Sequence, residues 1–135
     1  MVTLGVADLA RALHFYRDGL GWPTDSKIED GVIFFQLNGL ALALFPAPAL
    51  AADAGVPGHG TGFSRLTIAH NVRSEREVDL LLEEARQAGA TVTRPGSKAF
   101  WGGYTGYFAD PDGHLWEVAF NPHWTLDESG NVNLG

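Results

Sequence analysis

The chain carries one structural plan twice, and that duplication constrains the fold more than any other feature. Residues 2–6, VTLGV, read as a short strand. DLARALHFYRDGLG follows, with Leu9, Leu13, Tyr16 and Leu20 at helical spacing, Asp8 placed as N-cap and glycines at the end. Next come the strand VIFFQL (32–37), the turn Asn38-Gly39 and the strand LALALF (40–45). Asn-Gly between apolar runs signals a hairpin, because both turn positions need positive φ. The second half repeats the order. FSRLTIAHNV (63–72) is strand-like. SEREVDLLLEEARQAG then has Ser74 and Glu77 at capping-box spacing, Val78, Leu81, Leu82 and Ala85 on one helical face, and Gly89 as the stop. TVTRP, the glycine-rich YTGYFAD, the turn Asp112-Gly113 and HLWEVAF complete it.

Val6 and Val72, each opening a helix, are offset by 66 residues, whereas the hairpin glycines Gly39 and Gly113 are offset by 74, so the second copy has a longer middle. Each copy reads as strand, helix and three-strand meander. A unit of this size buries little of its sheet alone, so the two copies are expected to pair within one domain, 1–135. Module one covers about 1–46 and module two 63–122. The Pro-, Gly- and Ala-rich stretch 47–62 reads as a linker loop, and 123–135 as a polar tail.

Composition narrows the function. A net charge of −7 argues against nucleic acid, whose phosphates need a basic face. The absence of cysteine excludes thiol nucleophiles, disulfides and Cys-ligated zinc, and fits a reducing cytosol. The N-terminus lacks the basic and apolar regions of a signal peptide. The apolar run GLALALFPAPALAA is broken by Pro46 and Pro48 and falls short of the roughly 20 residues that span a bilayer. The expectation is a soluble, cytoplasmic protein with a small-molecule partner and neither nucleic acid nor membrane.

Strand parity then picks out one residue. In LWEVAF, Trp116, Val118 and Phe120 share a side and are assigned to the helix, which turns Leu115, Glu117 and Ala119 to the opposite face. The same rule puts Leu40, Leu42 and Leu44 towards the first helix and Ala41, Ala43 and Phe45 away from it. On the first strands, Met1 and Thr67 fall on the face of Ala43 and Glu117. Of these four repeat-related positions only Glu117 is charged. A carboxylate in an apolar setting is costly unless it is paired, hydrogen-bonded or protonated. It therefore reads either as a general acid or base, with hydrogen bonds from Thr67 and Tyr104, or as one half of a structural ion pair with Arg65, Arg94 or Lys98. Phe45, Phe100, Trp101, Tyr104 and one of Phe34 or Phe35 are candidate aromatic walls for a small ligand. Trp101 precedes Gly102 and Gly103, which suit a mobile loop or a close backbone approach. The histidines carry less: His70 faces the helix by parity, His59 and His123 lie in loops, His14 lies on helix one and His114 follows the hairpin turn.

LGVADLARALHFYRDGLGW and GGYTGYFADPDGHLWEVAFNP together resemble the vicinal oxygen chelate superfamily, which includes glyoxalase I, bleomycin-resistance proteins and extradiol dioxygenases. The resemblance spans residues 1 to about 122. It implies an α+β fold of two paired βαβββ modules whose curved mixed sheet encloses a cavity, usually in a homodimer. In metal-dependent members, His and Glu on the first and last strands of the modules hold a divalent ion. Carried over by position, those sites resemble Met1, Ala43, Thr67 and Glu117, of which only Glu117 has matching ligand chemistry. The expectation is no metal and no cofactor, and binding or sequestration of a small organic ligand by Phe45, Thr67, Trp101, Tyr104 and Glu117. The alternative is a glyoxalase-like lyase or isomerase, or a dioxygenase relative, with Glu117 as base or metal ligand.

Overall fold

The computed structural model describes residues 1–64 and 66–134, and Arg65 lies outside them. The chain divides into two compact units, Met1–Leu66 and Thr67–Gly135, here modules one and two.

Module one begins with strand β1 (Val2–Val6) and helix α1 (Leu9–Leu13). The Asp8 carboxylate accepts the Arg11 N–H at 3.0 Å and caps the helix. The helix continues as a π-helical turn, His14–Gly19, in which the Leu20 N–H reaches back five residues to the Phe15 carbonyl. That wider turn lets the consecutive rings Phe15 and Tyr16 both be buried, edge to face at 4.9 Å. Strands β2 (Ile33–Leu37) and β3 (Leu40–Pro46) form the expected hairpin through Asn38-Gly39, with Gly39 at φ 67°. The sheet order is β1-β3-β2, with β1 parallel to β3. Leu4, Val6, Ile33, Phe35, Leu42 and Leu44 are buried with α1, as parity requires. Tyr16, Trp22 and Phe35 form an aromatic cluster with centroids 5.2–6.0 Å apart.

Among the described residues, the expected third meander strand of module one does not form a ladder. Thr24 Oγ1 instead donates to the Phe34 carbonyl at 2.5 Å, and the Phe34 N–H donates to Ser26 Oγ at 3.0 Å. Two hydroxyls thus satisfy the outward-facing backbone of edge strand β2 where a neighbouring strand would. The linker reading needs a correction. Ala47–Ala54 is a helix, α2, with Pro48 in its first turn and Gly55 at φ 72° as its stop. Proline in a first turn loses no hydrogen bond, and the alanines that follow are strong helix formers. α2 lies against β1 at Gly5, where an added Cβ would come within 3.2 Å of Ala47.

Module two is the full pattern: β4 (Ile68–Asn71), α3 (Glu75–Gln87), β5 (Thr91–Lys98), β6 (Tyr104–Ala109) and β7 (Leu115–Phe120). The strands are ordered β4-β7-β6-β5, with β4 parallel to β7 and the rest antiparallel. Ser74 Oγ accepts the Glu77 N–H at 3.1 Å, while the Glu77 carboxylate reaches back to the Arg73 N–H at 2.7 Å, a capping box displaced by one residue. Val78, Leu82 and Ala85 are buried. Gly106 lets α3 approach β6: a Cβ there would sit 2.4 Å from Leu82 Cδ1. Phe108 and Trp116 stack in parallel at 6.3 Å. The turn at Asp112-Gly113 is wider than a two-residue hairpin. The strands close at Ala109 and Leu115, and Asp110 Oδ1 accepts the N–H groups of Asp112 and His114, both at 2.9 Å. The tail folds into a small hairpin, β8 (Thr125–Leu126) with β9 (Val132–Asn133), which the Arg73 guanidinium ties down through the carbonyls of Leu126 and Asp127 at 2.8 and 2.5 Å. Among the described residues no helix is long and apolar enough to cross a membrane.

Candidate functional site

Glu117 lies on the face of the module-two sheet turned away from α3, as parity predicted. Gly106, Phe108 and Trp116 define the helix side through Leu82 and their own stacking. Pairing then lines up one row across the opposite, open face. Ala69 on β4 stands beside Glu117 on β7, Glu117 opposite Tyr107 on β6, and Tyr107 opposite Arg94 on β5. Glu117 is half-buried, and the Tyr107 phenol stands beside its carboxylate as the cross-strand neighbour. Burial raises the Tyr107 pKa above its ordinary 10.0, with the adjacent Glu117 carboxylate adding to the rise and Arg94 opposing it. The Arg94 guanidinium sits 5.0 Å from the Tyr107 ring centroid and donates to Ser97 Oγ at 2.8 Å and to buried Thr105 Oγ1 at 2.6 Å.

The tyrosine beside Glu117 is therefore Tyr107 and not Tyr104. Tyr104 lies on the helix side and donates to the Asp79 carboxylate of α3 at 2.9 Å. Thr67 is exposed and precedes β4. Of the ion-pair partners expected for Glu117, Lys98 pairs with Glu75 and Arg94 bonds hydroxyls, while Arg65 lies outside the described residues. Trp101 is 38% exposed, and its ring lies on Gly103, where a Cβ would approach the indole to 2.0 Å. The indole thus fills the space beside Gly103. Phe100 is fully exposed at the tip of that loop, which the Ala99 N–H closes onto the Gly103 carbonyl at 2.8 Å.

In module one the matching row is Thr3, Ala43 and Phe34. Phe45 is half-buried and stands beside Gly5, at the place where α2 packs. Phe35 belongs to the core, whereas Phe34 is 46% exposed and borders a groove of about 420 Å³ with Gln36, Ala41 and residues 23–26. A second hollow of about 230 Å³ lies in module two between Asn71, Arg73, Phe120, Trp124 and the tail hairpin.

His70 faces α3. Burial lowers its pKa from 6.5, and the Glu84 carboxylate opposes that shift. His14 bonds Asp18 at 3.0 Å on the surface, and the His114 backbone serves the hairpin loop. Among the described residues no three His, Cys, Asp or Glu side chains gather to hold a metal ion. The carried-over positions agree: Met1 is 74% exposed, Ala43 has no donor and Thr67 offers only a hydroxyl. This donor set does not fit the divalent ion of the metal-dependent relatives.

Tyr107 is the residue that sequence reasoning missed. A signal was present, since a glycine under the helix at position 106 forces residues 105 and 107 to the open face.

Comparison with known proteins agrees with this architecture. The curated relative matched is a Baeyer-Villiger monooxygenase of Pseudomonas aeruginosa, 37% identical over 90 residues, which are 64% of this chain and 16% of that protein. A glyoxalase-related enzyme from Fulvimarina pelagi is similar in structure, with 41% identity and a TM-score of 0.84 over 98% of this chain and 94% of its own. A glyoxalase/bleomycin resistance protein/dioxygenase from Nocardioides is 27% identical, with a TM-score of 0.71 over 99% of this chain and 87% of its own. Lactoylglutathione lyase from Agrobacterium tumefaciens is 25% identical, with a TM-score of 0.68 over 89% and 90%. The family profile described as the Glyoxalase/Bleomycin resistance protein/Dioxygenase superfamily matches residues 1–118. With a profile covering most of its length and a matching fold, the chain belongs to that superfamily.

Proposed function

We propose that the protein binds a small organic ligand on the open face of the module-two sheet, without the metal centre of its metal-dependent relatives, and sequesters it in the manner of a bleomycin-resistance protein. The observation that carries this reading is the donor set. Of Met1, Ala43, Thr67 and Glu117, only Glu117 has carboxylate chemistry, and its cross-strand neighbour is the neutral phenol of Tyr107. Thr67 and Trp101 remain candidate contacts, with Trp101 favoured by its exposed indole, whereas Tyr104 is engaged by Asp79 on the helix side and Phe45 belongs to module one. The cysteine-free composition supports a cytoplasmic location. A homodimer is part of the proposal, checked by sedimentation.

The half-buried carboxylate favours a second reading, a lyase or isomerase in which Glu117 is the base. One set of measurements separates the two. Elemental analysis of the purified protein is expected to find less than stoichiometric Fe, Mn, Ni or Zn, and metal-free bleomycin is expected to shift amide resonances of β5 to β7. Stoichiometric metal that disappears in Glu117→Gln overturns the proposal. Turnover of lactoylglutathione abolished by Glu117→Gln replaces it with the enzyme reading.

A further inference from the structure

Arg94 and Glu117 carry opposite charges on one row of the module-two sheet, yet they do not pair. Tyr107 occupies the strand between them, so their backbones are two strand spacings apart, about 10 Å. The guanidinium is tethered on its own side by Ser97 and Thr105 and stacks on Tyr107. Of the five N–H donors of an arginine, these two hydroxyls engage two. Among the described residues, no carboxylate lies within ion-pair range of Arg94 and no cation lies within ion-pair range of Glu117. Among the described residues, a half-buried carboxylate beside a neutral phenol, on one row with a guanidinium that has donors to spare, is complementary to a guest that supplies both counterparts.

The geometry points to a small aromatic ligand with an anionic group at one end, held by Arg94, and an O–H or N–H donor at the other, held by Glu117, its ring running along Tyr107. This rests on the binding reading above and gives its ligand a chemical class. Arginine favours a planar carboxylate, which it meets with two parallel hydrogen bonds. An ionised Glu117 accepts and does not donate, so the far end of the guest must carry hydrogen. A carboxylate at that end would meet repulsion from Glu117, which fixes the direction in which the guest lies.

Amide NMR titration of the full chain with 4-hydroxybenzoate, benzoate and phenol tests this. Each single-ended probe lacks one charge-assisted hydrogen bond, so 4-hydroxybenzoate is expected to bind about tenfold tighter than either, with shifts confined to β5, β6 and β7. Arg94→Gln is expected to reduce its affinity to that of phenol. Glu117→Ala, which copies Ala43 of module one, is expected to reduce it to that of benzoate. The probe comparison on the unaltered chain stands even where a variant fails to fold. Equal affinity for the three probes, or a tenfold preference that survives both substitutions, overturns the assignment and leaves ligand binding intact. Absence of 4-hydroxybenzoate binding in a chain that binds metal-free bleomycin also overturns the ligand class alone, whereas failure of both probes overturns the binding reading with it.

Discussion

At matched positions on their open faces, module one has Thr3, Ala43 and Phe34 where module two has Ala69, Glu117 and Tyr107. The backbone ladders correspond pair by pair, so the difference lies in the side chains. One row is mainly apolar, and the other holds a carboxylate, a phenol and, one strand further out, a guanidinium. The helix-facing sides differ as well. Ile33 is fully buried in module one at the register of Gly106, where Leu82 of α3 takes up the space. Leu4 is buried at the register of His70. The comparison teaches that a duplicated scaffold keeps its hydrogen-bond register while each copy settles packing and polarity separately.

Five variants break or sharpen that contrast. The largest effect is expected from Phe35→Ala, which empties the cluster with Tyr16 and Trp22 and should cost about 3–5 kcal/mol in denaturant unfolding. Gly106→Ala should cost about 1–3 kcal/mol, because the methyl meets Leu82 and the backbone of β5. The same denaturant measurement would show packing at Gly106 to be loose if the cost were nil. Tyr107→Phe with Glu117→Ala, which rebuilds the module-one row in module two, should weaken 4-hydroxybenzoate binding about tenfold and leave the melting temperature within a few degrees. Thr24→Val with Ser26→Ala leaves the Phe34 N–H and carbonyl without their hydroxyl partners. About 1 kcal/mol per lost bond is expected, together with concentration-dependent association in sedimentation as the β2 edge opens.

The smallest effect concerns pH. The folded pKa of His70 lies below its ordinary 6.5, so between the two values the unfolded chain binds more protons than the folded one. Its contribution to stability is complete above pH 6.5 and is lost as pH falls through the folded value. Melting temperature should therefore decline on acidification from pH 7 to pH 5.5. His70→Leu, which copies Leu4, should flatten that decline. A slope unchanged by the substitution would assign the decline to other groups.

The fold was legible where local chemistry and periodicity agreed. Asp8 and Ser74 cap the helices as read, Asn38-Gly39 turns the first hairpin, and alternation sorted Leu42, Leu44, Trp116 and Val118 from Ala43 and Glu117. Three features were hidden. The helix Ala47–Ala54 was masked by proline and glycine neighbours that usually mark loops. The partner of Glu117 was obscured by the loop at Asp110–His114. A two-residue turn at Asp112-Gly113 would pair Glu117 with Phe108, whereas the wider loop built on the Asp110 side chain pairs it with Tyr107. The lack of a ladder strand beside β2 had no sequence signal beyond Pro23 and the hydroxyl residues Thr24 and Ser26, which are common in loops and strands alike.

The hydroxyl contacts to Phe34 have a consequence for how module one can vary. A ladder ties a segment down at every second residue, so one inserted residue would slip its whole pairing. Two side-chain anchors tie down only Thr24 and Ser26 and leave residues 27 to 32 outside the β2–β3 register. That stretch can change length or sequence without moving the sheet, and a foreign segment grafted between Lys27 and Val32 would be carried by a scaffold that hardly registers its presence.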